Sequence, residues 1–483
     1  MDKTDEVAIE SFLREITKEL KEENVAIFAG AGLSVPAGYV NWKGLLRDIA
    51  TDLRLDVDKE YDLVSLAQYH CNENASNRSG LNKALLENFS EIVDSTENHR
   101  ILARLPIKSY WTTNYDKLIE NSLFEIGRNP DIKFTKSHLA TTKPRRDCIV
   151  YKMHGDIDHP NDAILTKDDY ECYHKKMDQY ISTLTGELVT KTFIFVGFSF
   201  TDPNLDYILS RVRIAYDNGA RSHYCFLRKE KKDTNESMAD FEYRKRKQEL
   251  FCADLKRFSI KTILVDEFSD ITEILSRVEK RFRRRSIFIS GAAEEYGDMG
   301  NDVALKFMHE LSAKIIENNF QIVSGFGLGI GSAVISGALE KIYSNTQKYT
   351  SDQLMLRPFP QSVHGQTDRS TLWRKYREDM ESYAGIAIFV FGNKKDSSGS
   401  IIESNGMIEE FEIAKKLGLF IMPIAATGYA SKTIWDIVNA DLDSYMENDP
   451  IQRDLFESIS KKESSAEELM KAIMKFLSII TNK

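Results

Sequence analysis

Short runs of consecutive apolar residues recur along the chain, each closing on a glycine or a polar turn, and the charged segments between them carry their apolar residues at helical spacing. The first run, residues 25–29, feeds into Gly30; others stand at 109–113, 148–153, 192–198, 223–227 and 261–265. Runs this short with no polar alternation read as strands covered on both faces. Alternating with helices, they predict a parallel sheet. The pattern then restarts: strands are expected at 286–290, 321–324, 354–357, 385–391 and 419–424, with helices over 302–317, 333–343, 373–383 and 407–417. An amphipathic segment with a basic end, residues 271–285, joins the two series. The chain is therefore expected to be α/β, with two Rossmann-like, doubly wound domains over residues 1–283 and 284–483.

At 483 residues, 42% of them hydrophobic and 29% charged, the chain is too long for one ordinary core and too apolar to stay unfolded. Its five cysteines, Cys71, Cys148, Cys172, Cys225 and Cys252, form no C-x-x-C pair and leave one over in any disulfide scheme. That usage suits a reducing compartment and offers no zinc module. Residues 1–24 form a charged amphipathic pattern rather than a secretory leader, and no apolar run approaches the roughly 20 residues of a membrane span. A cytoplasmic location without membrane contact is expected. The net charge of −9 argues against nucleic acid as a partner, because Arg281, Arg283, Arg284 and Arg285 make a short basic run rather than an extended basic surface.

A glycine turn between strand and helix lets backbone approach a pyrophosphate and presents unpaired N–H groups to it. Ala29 followed by Gly30-Ala31-Gly32-Leu33-Ser34 has that placement, although alone it serves equally as a ligand-free tight turn. Thr113-Asn114-Tyr115-Asp116 closes the next run, and Lys152-Met153-His154-Gly155-Asp156 closes the one after. Asn114, Asp116 and His154 are therefore expected at the carboxyl ends of neighbouring strands, facing one crevice. Asp116 has a second reading, as the cap of a helix beginning at Lys117. A fourth run exits through Gly197-Phe198-Ser199-Phe200-Thr201-Asp202-Pro203-Asn204, where Gly197 admits close backbone and Ser199 can bond a phosphate or ribose.

In the order G-A-G-x-S, T-x-N-x-D, K-x-H-G and G-x-S, these segments resemble the NAD-binding core of the sirtuins. The resemblance implies that Ala29, Gly30, Ala31, Gly32 and Ser34 hold the pyrophosphate and a ribose. It implies that Asn114 and Asp116 line the nicotinamide ribose, that His154 is a general base, and that Gly197, Ser199 and Asn204 border the adenosine half. Cleavage of the nicotinamide bond passes through an oxocarbenium-like state, beneath which an amide such as Asn114 can hold water. A histidine that titrates near neutrality can take the proton. The paired cysteines of the sirtuin deacetylases are absent, and Gly38-Tyr39-Val40-Asn41-Trp42-Lys43 stands where those enzymes read G-I-P-D-F-R. Both departures leave water as the natural acceptor.

In the second half, Ser324-Gly325-Phe326-Gly327-Leu328-Gly329-Ile330-Gly331-Ser332 lies between an expected strand and helix, with the geometry of a phosphate cradle. Ser290-Gly291 ends the preceding strand, Arg377 and Lys394 are positive groups near later strand ends, and Glu410 and Glu412 lie early in a helix, suited to ribose hydroxyls. This half resembles the SLOG nucleotide-binding domains but lacks the P-G-G-x-G-T-x-x-E signature of the lonely-guy hydrolases, so the resemblance implies sensing rather than catalysis. The whole chain is similar to the NAD+-consuming effectors of bacterial Thoeris antiphage defence, also through residues 62–69 and 201–207. That resemblance implies NAD+ as substrate with no metal or cofactor, and a homo-oligomer, tetramer or filament. It further implies an activating cyclic ADP-ribose isomer made by a TIR-domain partner. The isomer would contact Ser290, Gly291, Gly327, Gly329, Gly331, Ser332, Arg377, Lys394 and Glu410. Two other readings remain open: an NAD-dependent deacylase with a nucleotide-responsive tail, and a module that binds nucleotide or DNA without cleaving it.

Overall fold

The computed structural model describes residues 3–200, 202–216, 221–359, 369–446, 449–462 and 464–482. The chain divides into two compact units, Met1–Glu279 and Lys280–Lys483.

The first unit is built on seven strands: β1 (Val25–Ala29), β2 (Ser109–Thr112), β3 (Pro130–Lys133), β4 (Cys148–Lys152), β5 (Thr192–Val196), β6 (His223–Arg228) and β7 (Ile260–Val265). They pair in parallel in the order β3-β4-β2-β1-β5-β6-β7. β1, β2 and β5 are buried along their whole length, which is why each reads as an unbroken apolar run. Aromatic side chains fill one face, with Trp111 stacked on Tyr151 at 4.1 Å. The sheet grows outward from β1 on both sides, so the crevice beyond the ends of β1, β2 and β5 is where such a fold takes a ligand.

The sequence pattern corresponds to six of these strands and misses β3. Pro-Asp-Ile-Lys carries one aliphatic residue, and a proline is tolerated there because β3 is an edge strand with its first residue free of a donor's duty. A second correction concerns the glycine turn. The helix it opens is one turn, Ala31–Ser34, followed by the 3-10 turn Val35–Ala37. Pro36 cannot donate, and Gly38 at φ +109° turns the chain away. Beyond it, the helices Trp42–Leu45, Arg47–Asp52, Leu63–Glu73 and Ser79–Phe89 pack a separate small core through Leu46, Leu66, Leu81, Leu85 and Phe89.

The second unit contains β8 (Ser286–Ala292), β9 (Gln321–Ser324), β10 (Leu354–Leu356), β11 (Ile386–Phe391), β12 (Asn393–Lys395), β13 (Ile401–Glu403) and β14 (Phe420–Pro423). Five form a parallel sheet in the order β10-β9-β8-β11-β14, again growing both ways from its first strand. β12 and β13 make a separate antiparallel ribbon, which Asn-Lys-Lys gave no apolar sign of. Helices Asn301–Glu317, Gly331–Ser344, Arg369–Ser382 and Asn405–Lys416 stand where the spacing expects them. The last helix, Ala466–Asn482, buries Leu469, Ile473, Phe476, Leu477 and Ile480 at helical intervals. Residues 361–370, a polar, turn-rich stretch following the run at 354–357, fall mostly outside the described residues. No described helix is long and apolar enough to cross a membrane.

Candidate functional site

β2 and β4 are neighbours, with Thr112 paired to Lys152, so Asn114 and His154 leave the sheet at the same level on adjacent exits. Asn114 is buried, and its Nδ2 donates to Gly30 O and to Ser34 Oγ, both at 3.0 Å. Gly30 O can only accept, which fixes which end of the amide faces it. Both amide protons are thereby used, and Oδ1 remains as the acceptor. The backbone N–H of Asn114 donates to Thr112 Oγ1 at 2.9 Å, so the residue is held from two directions. Asn114 lines a solvent-open cleft of about 360 Å³ with Ala31, Ser34, Trp42, Phe89 and Asp116 among its walls. Asp116 stands one residue before the cap of the next helix, Lys117, and its Oδ1 accepts from Leu118 N at 3.0 Å, while its Oδ2 is buried without a partner among the described residues.

His154 is 1% exposed and is not among the residues lining that cleft. Its Nε2 lies 3.1 Å from Asp202 Oδ2, within ion-pair reach when the ring is protonated, and neither ring nitrogen has a partner in hydrogen-bond geometry among the described residues. Burial alone would raise the Asp202 carboxyl, but His154, the Leu205 N–H and the Tyr170 hydroxyl together hold it below the usual carboxylate range. The Tyr170 ring meets His154 at 5.5 Å and the cleft residue Trp42 at 6.4 Å, and so connects the imidazole to the cleft wall.

The glycines of the first turn are required by the protein itself. A Cβ on Gly30 would stand 2.5 Å from Gly197 O, and one on Gly197, whose φ is +65°, 2.1 Å from Leu33 N. Gly30 N donates to Val196 O and Gly32 N to Gly197 O, which locks the β1 and β5 exits together. Ser199 is exposed, and Asn204 Nδ2 is buried without a partner among the described residues. Thr201 lies outside the described residues.

The second unit repeats this arrangement. A Cβ on Gly327 or Gly329 would stand 1.9 Å from Gly291 O or Ala293 O respectively, so the glycine loop lies directly on the β8 exit. Ala293 N donates to Leu328 O at 2.9 Å. The N–H groups of Gly327, Leu328 and Gly329 have no acceptor among the described residues. Ser332 is exposed at the start of the helix Gly331–Ser344. Arg377 is buried and bonds Glu409 at 2.6 Å and Glu410 at 3.2 Å, with its guanidinium over the Phe359 ring at 5.0 Å. Ser290 Oγ donates to the other Glu410 oxygen at 2.6 Å. Lys394 is partly exposed on the β12–β13 ribbon, and Glu412 is exposed.

Several participants carry no sequence signal of their own. Trp42 and Asn41 lie in the segment that departs from the sirtuins, where an asparagine before Trp-Lys-Gly-Leu caps a short helix, its Oδ1 accepting from Gly44 N at 3.0 Å. Asp202 stood in view in the Asp-Pro-Asn exit but its pairing with His154 is long-range. Glu381 is wholly buried with both oxygens unpartnered among the described residues, and burial together with the nearby Glu410 charge pushes its carboxyl up to about 10. Among the described residues no cluster of histidine, cysteine and carboxylate side chains is arranged to hold a metal.

A SIR2-like domain model matches residues 108–249, and a model of the Sir2- and TIR-associating SLOG family matches residues 270–480. The chain is 52% identical to a Bacillus cereus protein named NAD(+) hydrolase ThsA over 475 residues, covering 98% of this chain and 99% of that one. It is 47% identical to the protein of the same name in Acinetobacter baumannii, covering 96% and 98%. Over 42% of its length it is 24% identical to a Bacillus subtilis protein named defense-associated sirtuin 2, covering 20% of that protein.

Proposed function

The chain belongs to the ThsA family of NAD+ hydrolases and is itself such an enzyme, and on that premise we propose that hydrolysis takes place at the exits of β2 and β4, carried by Asn114 and His154. The observation that carries this reading is the Asn114 amide. Both of its protons are engaged by Gly30 and Ser34, so Oδ1 is the one polar end left to accept a hydrogen from water in the cleft. Water held there adds to the ribose carbon as the bond to nicotinamide breaks, and the charge that builds on the ribose is spread by the ring oxygen. His154 takes the proton the water gives up. Asp202 stands 3.1 Å from Nε2, opposite the charge the ring then carries. The products are ADP-ribose, nicotinamide and a proton. Gly30, Ala31, Gly32, Ser34, Asp116, Gly197, Ser199 and Asn204 hold the dinucleotide around this point.

The second cleft is read as the regulatory one. Its ligand is a cyclic ADP-ribose isomer supplied by a TIR-domain partner during phage infection, and the hydrolase works as a homo-oligomer that depletes NAD+. Three features support a doubly charged nucleotide there: the N–H groups of Gly327, Leu328 and Gly329, without an acceptor among the described residues, suit a phosphate, Arg377 supplies the positive charge, and Ser290 and Glu410 suit ribose hydroxyls. Nicotinamide release from NAD+ is measured with and without a cyclic ADP-ribose isomer, for wild type beside Arg377→Ala. The isomer is expected to accelerate wild type and to lose its effect on the variant at the same concentration. An equal response from both would displace the regulatory site from this cleft.

A further inference from the structure

Lys152 is 0% exposed, a position where an unpaired ammonium would be very costly. Its Nζ is surrounded by four oxygens: Asp116 O at 2.6 Å, Tyr115 O at 3.1 Å, Asp156 Oδ2 at 2.6 Å and Glu120 Oε1 at 3.0 Å. An ammonium has three protons, so these acceptors saturate it. Burial opposes the charge, but the Glu120 and Asp156 carboxylates outweigh that and keep the lysine above its ordinary range.

The partners come from both exits that carry the proposed chemistry. Tyr115 and Asp116 directly follow Asn114 beyond β2. Asp156 follows His154 and Gly155 beyond β4, and its Oδ1 also accepts from Asp158 N at 3.0 Å, which sets the shape of that turn. Ile157 N donates to Tyr115 O at 3.1 Å, a second tie between the same two segments. Glu120 differs from the others: it stands on the helix Leu118–Glu125 and belongs to neither exit.

We propose that Lys152 is a positioning residue for NAD+ cleavage, whose ammonium fixes the Asn114 exit against the His154 exit so that acceptor amide and imidazole address the same water. The proposal rests on the assignment of Asn114 and His154 made above. A lysine is suited to this because its charge reaches backbone carbonyls on one side and a carboxylate on the other from a single point. A loss of register of about 1 Å between two groups that must act together costs about 100-fold in rate.

Removing the lysine alone strands two carboxylates in the interior, and such a variant can fail to fold. The full-length Lys152→Met/Glu120→Met protein removes one charge of each sign. Two isosteric variants accompany it: Asp156→Asn weakens the tie to the His154 exit while keeping an acceptor for Asp158, and Glu120→Gln weakens only the tie to the helix. Turnover of NAD+ and the thermal midpoint are measured for each. The expected results are kcat reduced about 100-fold in the double variant and about tenfold in Asp156→Asn, with KM moved by less than about threefold, and Glu120→Gln within about threefold of wild type in both constants. A purely structural lysine would lower the thermal midpoints and leave kcat alone. A folded double variant with wild-type kcat overturns the proposal, and if the double variant does not fold, equal kcat in the two isosteric variants overturns it. Asn114→Ala, assayed in parallel, keeps the two claims apart: full activity in that variant removes the underlying assignment, whereas an inactive Asn114→Ala beside an unimpaired Asp156→Asn removes the brace alone.

Discussion

At the exits of β2 and β4 the buried ammonium of Lys152 is matched by Glu120 and Asp156, and the Asn114 amide has both protons engaged. Beyond β8 and β11 a cation again stands between two carboxylates, Arg377 between Glu409 and Glu410, but here a third carboxyl, Glu381, is buried beside them with no partner among the described residues. Both clefts use glycines to lay one strand exit on another, at Gly30 and Gly197 in the first unit and at Gly327 and Gly329 in the second. The scaffold is therefore shared and the charge arrangement is not. A site whose amide and ammonium have all their protons engaged is suited to holding reacting atoms still. A site with a surplus of carboxylates around one arginine is suited to responding, because an incoming phosphate competes directly for that arginine.

The sharpest way to break this contrast is at His154. With Asp202 at 3.1 Å, loss of the buried ring in His154→Ala is expected to lower kcat for NAD+ hydrolysis by about 10³-fold, within the span of general-base effects, and to lower the thermal midpoint, because the Asp202 carboxylate loses its partner. Steady-state nicotinamide release checks it. Wild-type turnover in the variant would mean that the ordered first cleft is not where proton transfer occurs.

Next in size is Arg377→Ala in the second unit. If Arg377 passes from Glu409 and Glu410 to a phosphate, the concentration of cyclic ADP-ribose isomer needed for half-maximal activation rises about 100-fold, the weight of a lost charge-assisted pair. A titration of activation against ligand gives that number.

The shared glycine device separates from the charges in a third comparison. Gly329 combines φ +76° with a Cβ clash at 1.9 Å, whereas Gly418 has φ +70° with open space around it. Gly329→Ala is expected to destabilise the second unit by about 3 kcal/mol and Gly418→Ala by about 1 kcal/mol, as read by denaturant unfolding.

The effect that builds most gradually concerns Glu381. In the unfolded chain this carboxyl ionises in the ordinary range, but in the folded protein it stays protonated up to about 10. Unfolding across that window releases a proton, so the group makes stability fall as pH rises, at no more than about 1.4 kcal/mol per pH unit. Glu381→Gln removes the titrating group without removing its volume. Its gain in thermal midpoint over wild type is expected to grow steadily from about pH 5 to about pH 9. A gain independent of pH would mean that Glu381 is not held neutral.

The legible parts of the molecule were those with a local cause. Each strand covered on both faces announces itself as an apolar run, and β3 does not because two of its buried positions, Asp131 and Lys133, are filled by an ion pair at 2.9 Å rather than by apolar side chains. Asn114 and His154 are visible in the chain because strand exits carry them, and their adjacency follows from β2 pairing with β4. What stayed hidden depends on long-range packing. The K-x-H-G motif displays Lys152 but not its reach to the carbonyls of Tyr115 and Asp116, and nothing near Glu381 in sequence foretells that Glu410 will be buried beside it. The glycines were legible as special positions, yet their use in laying one turn on another appears only when both turns are in place.

The most direct trial of the central claim is nicotinamide release by full-length Asn114→Ala, with wild type and a thermal midpoint measured alongside. Truncating the amide removes the acceptor that holds water in the cleft together with the two donors to Gly30 and Ser34, so turnover is expected to fall by about 10³-fold or more, with a midpoint lowered by only a few degrees, on the order of the two lost hydrogen bonds. Turnover within about tenfold of wild type would contradict the account, because the cleft at the β2 exit would then not be where NAD+ is cut.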